Sequence, residues 1–422
     1  MTTKRKETSK LRPVWIYLFI AFLSGIVWEV TFTMSAIYRV NVVRLDVLEL
    51  VLLGTALELS VFLFEIPTGV VADLYSRRMS VIIGTFLMGF GFILEGALPI
   101  FATVLLAQVV WGLGWTFISG AEQAWITDEV GVEQAGKLFL RGRQFLQVGT
   151  LIGIILAVPL ARISLQLPYF VGGGLNLFLG LVLIFFMPEN GFQPKPKEER
   201  EGFGDFIKTI RSGVTAIRTR TTLVWFSLIA LLVGLYSEGW DRLKEPHLLT
   251  NHTFPDLFGL SLGPVEWFAI LGGSGSLLVI IASQIARRGM GNGNPRRLAV
   301  ILQGLYAMMV VSMIGFTLSG QFWAAISFML IFDTLRGITF PLSQAFVNHY
   351  VESRIRATVL SMTEQIDAFG QVAGGPVVGM VGRLVSMPAA ILTSAVILFP
   401  AVPLFSKLLK ADKRESQAQE AV

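Results

Sequence analysis

The chain has 422 residues, of which 53% are hydrophobic and only 15% charged, with a mean hydropathy of +0.66 and a formal net charge of +5. Soluble domains average roughly 25% charged residues, so this composition excludes an ordinary water-soluble protein and indicates a chain that lies mostly in a membrane. The chain contains no cysteine, which excludes disulfides, thiolate catalysis and cysteine-ligated metals.

Apolar segments long enough to cross a bilayer, about 20 residues each, follow one another along the whole chain. The first six are predicted near residues 13–38, 47–71, 79–98, 100–126, 137–160 and 165–187. The second six are predicted near residues 222–247, 262–286, 296–318, 321–349, 357–381 and 386–409. The short strands of alternating polarity that a membrane β-barrel needs do not occur. We therefore predict an all-α membrane protein with twelve transmembrane helices in two six-helix bundles.

The polar segments predict the domain organisation and the orientation. We expect an N-terminal segment 1–12, bundles 13–187 and 222–409, a linker 188–221 that is rich in Pro, Gly and charge, and a tail 410–422. Of the 34 Lys and Arg residues, 27 fall in the termini, the linker and alternate loops, and Arg336 lies inside a helix. The other six are counted on the outer side: Arg39, Arg44, Arg162, Arg242, Lys244 and Arg383. The positive-inside rule then predicts that both termini are cytoplasmic and that the protein lies in the inner or plasma membrane. The net charge reflects this orientation, so we expect no nucleic-acid partner.

The two halves also match in sequence. A shift of 221 residues without a gap aligns residues of spans 4 and 5 with residues of spans 10 and 11. The aligned pairs are Gln123 with Gln344, Ala124 with Ala345, Trp125 with Phe346, Gln144 with Gln365, Gly149 with Gly370 and Gly153 with Gly374. Parallel repeats with the substrate site between them are a recurrent design of transporters, and this register fits such a repeat.

The loop after span 2 carries a recognisable motif. Residues Gly69 to Arg78 read GVVADLYSRR, which resembles the signature Gly-x-x-x-Asp-Arg-x-Gly-Arg-Arg/Lys of the major facilitator superfamily. Asp73 and the two final arginines stand at the spacing of the signature, whereas Leu74 and Ser76 depart from it. The resemblance implies a twelve-helix carrier that moves a small solute by alternating access.

Three further segments resemble one branch of this superfamily, the drug:proton antiporters, which contains macrolide and tetracycline efflux permeases. The segments are EIPTG at residues 65–69, SGAEQAW at residues 119–125 and SEGWDRL at residues 237–243. The arginine that this branch carries in span 4 is missing. Its Gly-Pro motif of span 5 survives only as Gly149 and Gly153.

Charges inside a membrane helix cost at least about 2.5–3.5 kcal/mol, so those that remain usually face a cavity or a partner. Span 7 carries Glu238, Asp241 and Arg242 on one helical face, and span 10 carries Asp333 and Arg336 one turn apart. We predict that Glu238 and Asp333 bind protons and that the arginines tune their pKa values by proximity. The alternative is that each pair is a permanently neutralised bridge that only fixes helix packing.

Other embedded residues have no charged neighbour within a turn. Glu29 in span 1 and Glu58 in span 2 each need a partner from another helix or a neutral carboxyl. Both are candidate proton or substrate sites, and Glu29 is a candidate contact for a cationic substrate. Glu95, near a helix end, is expected to be interfacial. Six tryptophans could stack on a planar cargo, although such residues are more often core or interface residues: Trp28, Trp111, Trp115, Trp125, Trp240 and Trp267.

Charges at the predicted cytoplasmic ends of the helices suggest gates. The resemblance implies that Asp73, Arg77 and Arg78 form a latch that closes the inner gate, and Asp128 at the end of span 4 is the expected partner of Arg77. The alternative is that the arginines only set the orientation of the protein in the membrane, which leaves Asp73 unexplained. At the start of span 11, Glu364 and Asp367 lie one turn apart, and we expect them to act in gating.

These observations predict a secondary transporter. The chain has no phosphate-binding loop of an ATPase and none of the common motifs of hydrolases, so a polytopic membrane enzyme is the less favoured class, and we expect no catalytic residue, metal or cofactor. The embedded acids favour proton-coupled efflux of a cationic or amphipathic, drug-like small molecule. The alternative is a proton-coupled symporter that imports a sugar or an organic acid. The expected partners are the substrate, protons and the lipid bilayer, and the chain is expected to act as a monomer.

Overall fold

The structure is a computed structural model that describes residues 2–193, 214–215, 217–218, 220–289, 295–351 and 356–420. Most of the predicted linker 188–221 therefore lies outside the described residues. The described part of the chain is helical apart from short connections. This confirms the all-α prediction, and the physical reason is that a backbone in lipid must satisfy its own hydrogen bonds.

The helices follow the hydrophobic segments closely. The first half contains α1 (Thr2–Phe32), the short α2 (Ser35–Tyr38) with a π-helical turn (Arg39–Val43), α3 (Val47–Leu74), α4 (Arg77–Ala97), α5 (Phe101–Ile118), α6 (Ala121–Val130), α7 (Val132–Ile163) and α8 (Leu167–Phe186). The second half contains α9 (Thr221–Asn251), α10 (Pro264–Gly289), α11 (Pro295–Leu318), α12 (Phe322–Tyr350), α13 (Arg356–Leu384), α14 (Met387–Leu398) and α15 (Ala401–Glu420). The backbone of the predicted N-terminal segment and most of the predicted tail also continue as helix.

Two predicted spans are broken. Span 4 consists of α5 and α6, because Gly120 between them has a φ of 73°, in the left-handed region that a helix cannot contain. Span 12 consists of α14 and α15, which meet at Phe399 and Pro400. The hydrophobic pattern is continuous across both breaks, so it does not reveal them.

Within the described residues, eleven helices or helix pairs are long and apolar enough to cross a membrane. The remaining predicted span is α13, which has 29 residues but carries two acids and several glycines. At about 1.5 Å per residue its length is about 44 Å, which exceeds the roughly 30 Å hydrocarbon core. The described part of the chain thus provides twelve helices or helix pairs of membrane-spanning length, eleven of which are also apolar enough to be candidate spans.

The chain forms two compact units. Unit 1 contains Met1–Leu45, Ala56–Arg200 and Leu262–Ile270, and unit 2 contains Asp46–Thr55, Glu201–Ser261 and Leu271–Val422. The start of α3 thus belongs to unit 2, and the start of α10 belongs to unit 1.

In unit 1, α1 and α7 approach so closely that glycine is required at their contact. A Cβ atom at Gly25 would lie 2.8 Å from the backbone nitrogen of Thr150, and one at Gly149 would lie 3.1 Å from the backbone nitrogen of Ile26. Real Cβ atoms rarely come this close to a backbone atom. Small residues allow helices in a membrane to gain van der Waals contact in this way.

Unit 2 repeats this contact with α9 and α13. A Cβ atom at Gly234 would lie 3.0 Å from the backbone nitrogen of Gln371, and one at Gly370 would lie 2.9 Å from that of Leu235. The residues of α13 correspond to those of α7 by the predicted shift of 221, and the residues of α9 correspond to those of α1 by a shift of 209. The structure thus extends the repeat to the first span of each half.

Candidate functional site

The shift of 209 residues between α1 and α9 places two carboxylates at equivalent positions, Glu29 on α1 and Glu238 on α9. Each carboxylate accepts a hydrogen bond from the side chain four residues later. The Thr33 hydroxyl donates to Oε2 of Glu29 over 3.0 Å, and Nε of Arg242 donates to Oε2 of Glu238 over 3.1 Å. Glu29 is therefore held by a neutral group where its counterpart is held by a cation.

The Glu238 ion pair is deeply buried. Glu238 is only 2% exposed, and the pair with Arg242 follows the i, i+4 spacing that its helix predicts. Gly54 on α3 lies directly against both side chains, because a Cβ atom there would collide with the carboxylate and the guanidinium. The sequence alone does not mark Gly54 as part of the site, because its importance comes only from this contact between helices.

Asp333 on α12 binds two groups of α9. Nζ of Lys244 lies 2.8 Å from Oδ2 of Asp333, and Nε1 of Trp240 donates to Oδ1 over 3.0 Å. The Trp240 ring is fully buried against Phe332, with ring centroids 4.1 Å apart. Lys244 was counted with the outer basic residues, but it lies inside α9 and contributes to this site.

Arg336 does not pair with Asp333, although the two residues lie one turn apart on α12. Its guanidinium instead forms an ion pair with Asp241 on α9 and lies 6.0 Å from the ring centroid of Tyr236. An arginine side chain is long enough to reach a neighbouring helix, so spacing along one helix did not decide the partner. Three acids and three bases of α9 and α12 thus form three ion pairs: Glu238 with Arg242, Asp241 with Arg336 and Asp333 with Lys244.

Two exposed tryptophans pack together in unit 1, and one of them, Trp28, directly precedes Glu29 in the sequence. Trp28 and Trp115 are 39% and 42% exposed, and their ring centroids lie 6.0 Å apart. The other four tryptophans that were considered for stacking are at most 5% exposed: Trp111, Trp125, Trp240 and Trp267. Glu58 on α3 is partly buried.

Glu95 is not interfacial, contrary to the prediction from its position near a helix end. It is fully buried, because Nη2 of Arg39 lies 2.9 Å from its Oε1 and Nε2 of Gln108 donates to its Oε2 over 2.7 Å. The Tyr38 hydroxyl also donates to its backbone carbonyl over 2.6 Å. Arg39, which was counted as a loop residue, is thus the partner that makes burial of this carboxylate possible.

The predicted pairing of Arg77 with Asp128 is present. The guanidinium of Arg77 binds the Asp128 carboxylate and donates to the Ala124 carbonyl over 2.8 Å, while Nη2 lies 3.7 Å from Oδ1 of Asp73. The guanidinium also lies 5.9 Å from the ring centroid of Phe192. This end of unit 1 is therefore a network of charges rather than a row of separate basic residues.

Arg78 has a partner that sequence analysis missed. Its backbone nitrogen donates to Oε1 of Glu189 over 2.9 Å, and the Ser76 hydroxyl donates to Oε2 of the same carboxylate over 2.7 Å. The Arg78 side chain donates to the Ile184 carbonyl over 2.5 Å. Glu189 thus joins the start of α4 to the chain that follows α8, where an acid is favourable near a helix N-terminus.

The two acids of α13 differ in environment. Asp367 is partly buried and accepts a hydrogen bond from Nε2 of Gln371 over 2.8 Å, whereas Glu364 is exposed. Over the described part of the chain, no group of three or more His, Asp or Glu side chains is arranged to hold a metal ion.

The whole chain resembles known transport proteins. Residues 17–374 match the family model of the Major Facilitator Superfamily. An uncharacterised MFS-type transporter of Bacillus subtilis (strain 168), YxaM, is 22% identical over 383 residues, which cover 89% of this chain and 90% of the relative.

Solved structures share the fold at low sequence identity. A mutant of the nucleoside transporter NupG has a TM-score of 0.76 at 14% identity and covers 94% of this chain and 99% of its own. A bacterial homologue of the human lysosomal transporter Spinster, in an inward-facing and unoccupied conformation, has a TM-score of 0.74 at 16% identity, covering 96% and 97%. A POT family transporter in complex with a thioalcohol-conjugated peptide has a TM-score of 0.74 at 15% identity, covering 96% of each chain.

Proposed function

The chain belongs to the major facilitator superfamily and is a multi-pass membrane transporter, and on that basis we propose that it exports a cationic or amphipathic, drug-like molecule in exchange for protons. Both termini lie in the cytoplasm in this proposal, and the protein works as a monomer in the cell membrane. The embedded charges of α1, α9 and α12 carry the proposal, because such groups in membrane helices usually serve a substrate or a proton.

The asymmetry between Glu29 and Glu238 is the observation that favours a cationic cargo. No ion pair to Glu29 occurs among the described residues, whereas its repeat counterpart is neutralised by Arg242. A carboxylate with a single hydroxyl donor still has several acceptor positions, and a cation from the cargo would fill the role that Arg242 fills in the other half. The exposed rings of Trp28 and Trp115 add a surface on which a planar or cationic group can stack.

The Lys244–Asp333 pair is the best candidate for proton coupling. The Asp333 side chain is 26% exposed and that of Glu238 is 3% exposed, so Asp333 is the more accessible of the two predicted proton sites. Its partner is a lysine, whose ammonium is a mobile point charge, whereas Glu238 and Asp241 are bound by planar guanidinium groups that stay charged. A proton on Asp333 would release Lys244 and alter the contact between α9 and α12.

Exchange requires that cargo and proton bind alternately to coupled sites. With Asp333 charged and paired, the cargo binds at Glu29; with Asp333 protonated, the cargo leaves. The pairs of Glu238 with Arg242 and of Asp241 with Arg336 stay neutral in both states, so they act as scaffolding in this proposal. The gating roles of Asp73, Arg77, Arg78, Asp128, Glu364 and Asp367 belong to the same proposal.

The test is transport by the purified protein in liposomes that contain a pH-sensitive dye. A proton gradient is imposed, and tetracyclines, macrolides and cationic dyes are added in turn. We expect cargo-dependent dissipation of the gradient, and we expect Asp333→Asn to abolish it. Asp412→Asn is the matched control, because Asp412 is a buried acid that also binds a cation at 2.8 Å, Nε of Arg296, but lies outside the charge cluster.

Glu29→Gln tests the substrate contact separately. Loss of a charged hydrogen bond costs about 1.5–3 kcal/mol, so a cationic cargo should bind about 10- to 100-fold more weakly, while a neutral cargo of similar size should be unaffected. Proton movement that accompanies a sugar or an organic acid instead, in the same direction as the solute, would favour the symporter. Transport by Asp333→Asn at the wild-type rate would refute the proton-coupling role.

A further inference from the structure

Two histidines lie at the end of α9 that is predicted to face outward, and the transport proposal uses neither of them. His247 is 2% exposed, and His252 follows directly after the last residue of the helix. Their ring centroids lie 5.9 Å apart in an edge-to-face arrangement. They are two of the three histidines in the chain.

The hydrogen bonds of His247 fix its neutral form. Nδ2 of Asn251 lies 3.1 Å from Nδ1 of His247 and also donates to the His247 carbonyl over 3.1 Å. Because a carbonyl can only accept, Nδ2 is the donor in both contacts, and the ring proton of neutral His247 is therefore on Nε2.

Both Nε2 atoms are unsatisfied. In the part of the chain that the structure describes, Nε2 of His247 and Nε2 of His252 are buried and have no hydrogen-bond partner. Buried polar atoms without a partner are uncommon in proteins, and each one calls for an explanation. Here the two imidazoles are adjacent at the outer end of the helix that carries Lys244. A proton taken up by His247 would bind at Nδ1, the atom that now faces Nδ2 of Asn251.

Contacts connect this histidine pair to Asp333. The His247 ring lies 5.1 Å from the Phe316 ring centroid, and Trp240, which donates to Asp333, lies 5.2 Å from the same ring. Lys244 lies one turn before His247 on α9, at the i, i+3 spacing at which side chains are neighbours. A charge on His247 would therefore be next to the ammonium that binds Asp333.

Few other charged groups lie on the elements around the pair. α9 carries Lys244 and Glu245, the connection after it carries Asp256, and the outer end of α13 carries Arg383, which lies 3.6 Å from Asp46. No charged or titratable side chain occurs at the outer end of α11, in the first ten residues of α12 or in α14. Lys244 is thus the nearest cation along the helix.

We propose that His247 and His252 take up protons from the outer side and transmit the added charge to the Lys244–Asp333 pair. Imidazole is the side chain whose charge changes between about pH 5 and 8. A positive charge one turn from Lys244 repels its ammonium and so weakens the ion pair between Lys244 and Asp333. This inference rests on the proton-coupled exchange proposed above.

The direction of the pH effect follows from burial. Burial lowers the pKa of His252 from its ordinary value, so charging it takes a more acidic medium than charging a free imidazole does. Acidification of the outer medium therefore adds charge to the pair, and a rise in outer pH removes it. This is the sense that proton uptake in exchange for cargo requires.

The first test is the dependence of transport on external pH in liposomes with a fixed internal pH. We expect His247→Gln and His252→Gln each to shift the midpoint of this dependence by about one pH unit or more, a tenfold change in proton concentration. His349→Gln is the matched control, because it removes the only other histidine, and its midpoint should equal that of the wild type. Wild-type midpoints in both outer variants would overturn the inference.

The second test does not require transport. The measurement is an NMR titration of the full chain, labelled with ¹⁵N-histidine, in lipid nanodiscs. Because the chain has three histidines, few imidazole signals occur, and each signal is assigned by its loss in one of the three variants. We expect the titrations of His247 and His252 to be coupled, so that a proton on one ring opposes protonation of the other, and we expect Asp333→Asn to shift their midpoints. Independent titration, unaffected by Asp333→Asn, would overturn the inference. If wild-type protein moves no protons with any cargo, the proposed function fails, and this titration still decides whether the histidines and Asp333 are coupled.

Discussion

The ion pair between Lys244 and Asp333 should reveal itself in stability before any transport is measured. Asp333→Asn keeps an oxygen acceptor for Nε1 of Trp240, but it removes the charge that faces Lys244. The substitution therefore isolates the ionic part of the interaction. Lys244 is left inside the helix bundle without the carboxylate that neutralises it.

The magnitude follows from the burial of the two side chains. Removing one partner of a buried ion pair costs about 3–5 kcal/mol, whereas an exposed pair contributes about 0.2–1 kcal/mol. The side chains of Lys244 and Asp333 are 18% and 26% exposed, so we expect Asp333→Asn to lower the free energy of unfolding by about 2–3 kcal/mol. The double variant Asp333→Asn/Lys244→Gln has no unpaired charge and should recover to within about 1 kcal/mol of the wild type.

The assay is reversible unfolding in mixed micelles with increasing SDS, followed by tryptophan fluorescence. The single variants, the double variant and the wild type form a double-mutant cycle, and contacting residues usually give a coupling energy of about 0.5–3 kcal/mol. Additive effects of the two single substitutions, or a stability of Asp333→Asn equal to that of the wild type, would refute the reasoning. The pair would then be absent in the membrane or would be screened by water.

Three other predictions concern unit 1. Glu95→Gln leaves the buried guanidinium of Arg39 without an anion, so it should cost about 3–5 kcal/mol in the same unfolding assay, and a loss below about 1 kcal/mol would contradict a dry pair. Gly149→Val places a side chain against the backbone of α1, so size-exclusion chromatography should show little folded protein, and normal yield would contradict the close contact. Asp128→Asn removes the anion bound by Arg77 and should open the inner gate more often. The chain has no cysteine, so a single cysteine introduced beside this network reports access to it, and its alkylation should be several-fold faster in the variant. An unchanged alkylation rate would contradict the gating role.

Several features could be predicted from the sequence because they depend on one helix or on composition. The number of spans follows from the length of the apolar segments, since the bilayer core fixes the length of a helix. The pair of Glu238 with Arg242 follows from the i, i+4 spacing alone. The partner of Arg77 was predictable because both charges lie at neighbouring helix ends, where only a few acids are available.

Other features depend on how helices are rotated and packed, which one-dimensional spacing does not contain. Arg336 binds Asp241 rather than the nearer acid of its own helix, and Lys244 was counted among the outer residues although it binds Asp333. Glu95 was predicted to be interfacial because its partner comes from the chain after α1, more than fifty positions away. In each case the long side chain of a lysine or arginine reaches a neighbouring element.

The sequence by itself determined the class of this protein: an all-helical, twelve-span member of a transporter superfamily with acids placed inside its helices. Composition and hydrophobic length suffice for this, because lipid leaves the backbone few alternatives. Only the tertiary structure decided which acid faces which base and placed Glu29 and Glu238 at equivalent contacts of a repeat. It also brought His247 and His252 together with two unsatisfied nitrogens. The physical reason is that an ion pair in a membrane forms wherever packing brings opposite charges within reach, and that distance is set by contacts between helices rather than by positions along the chain.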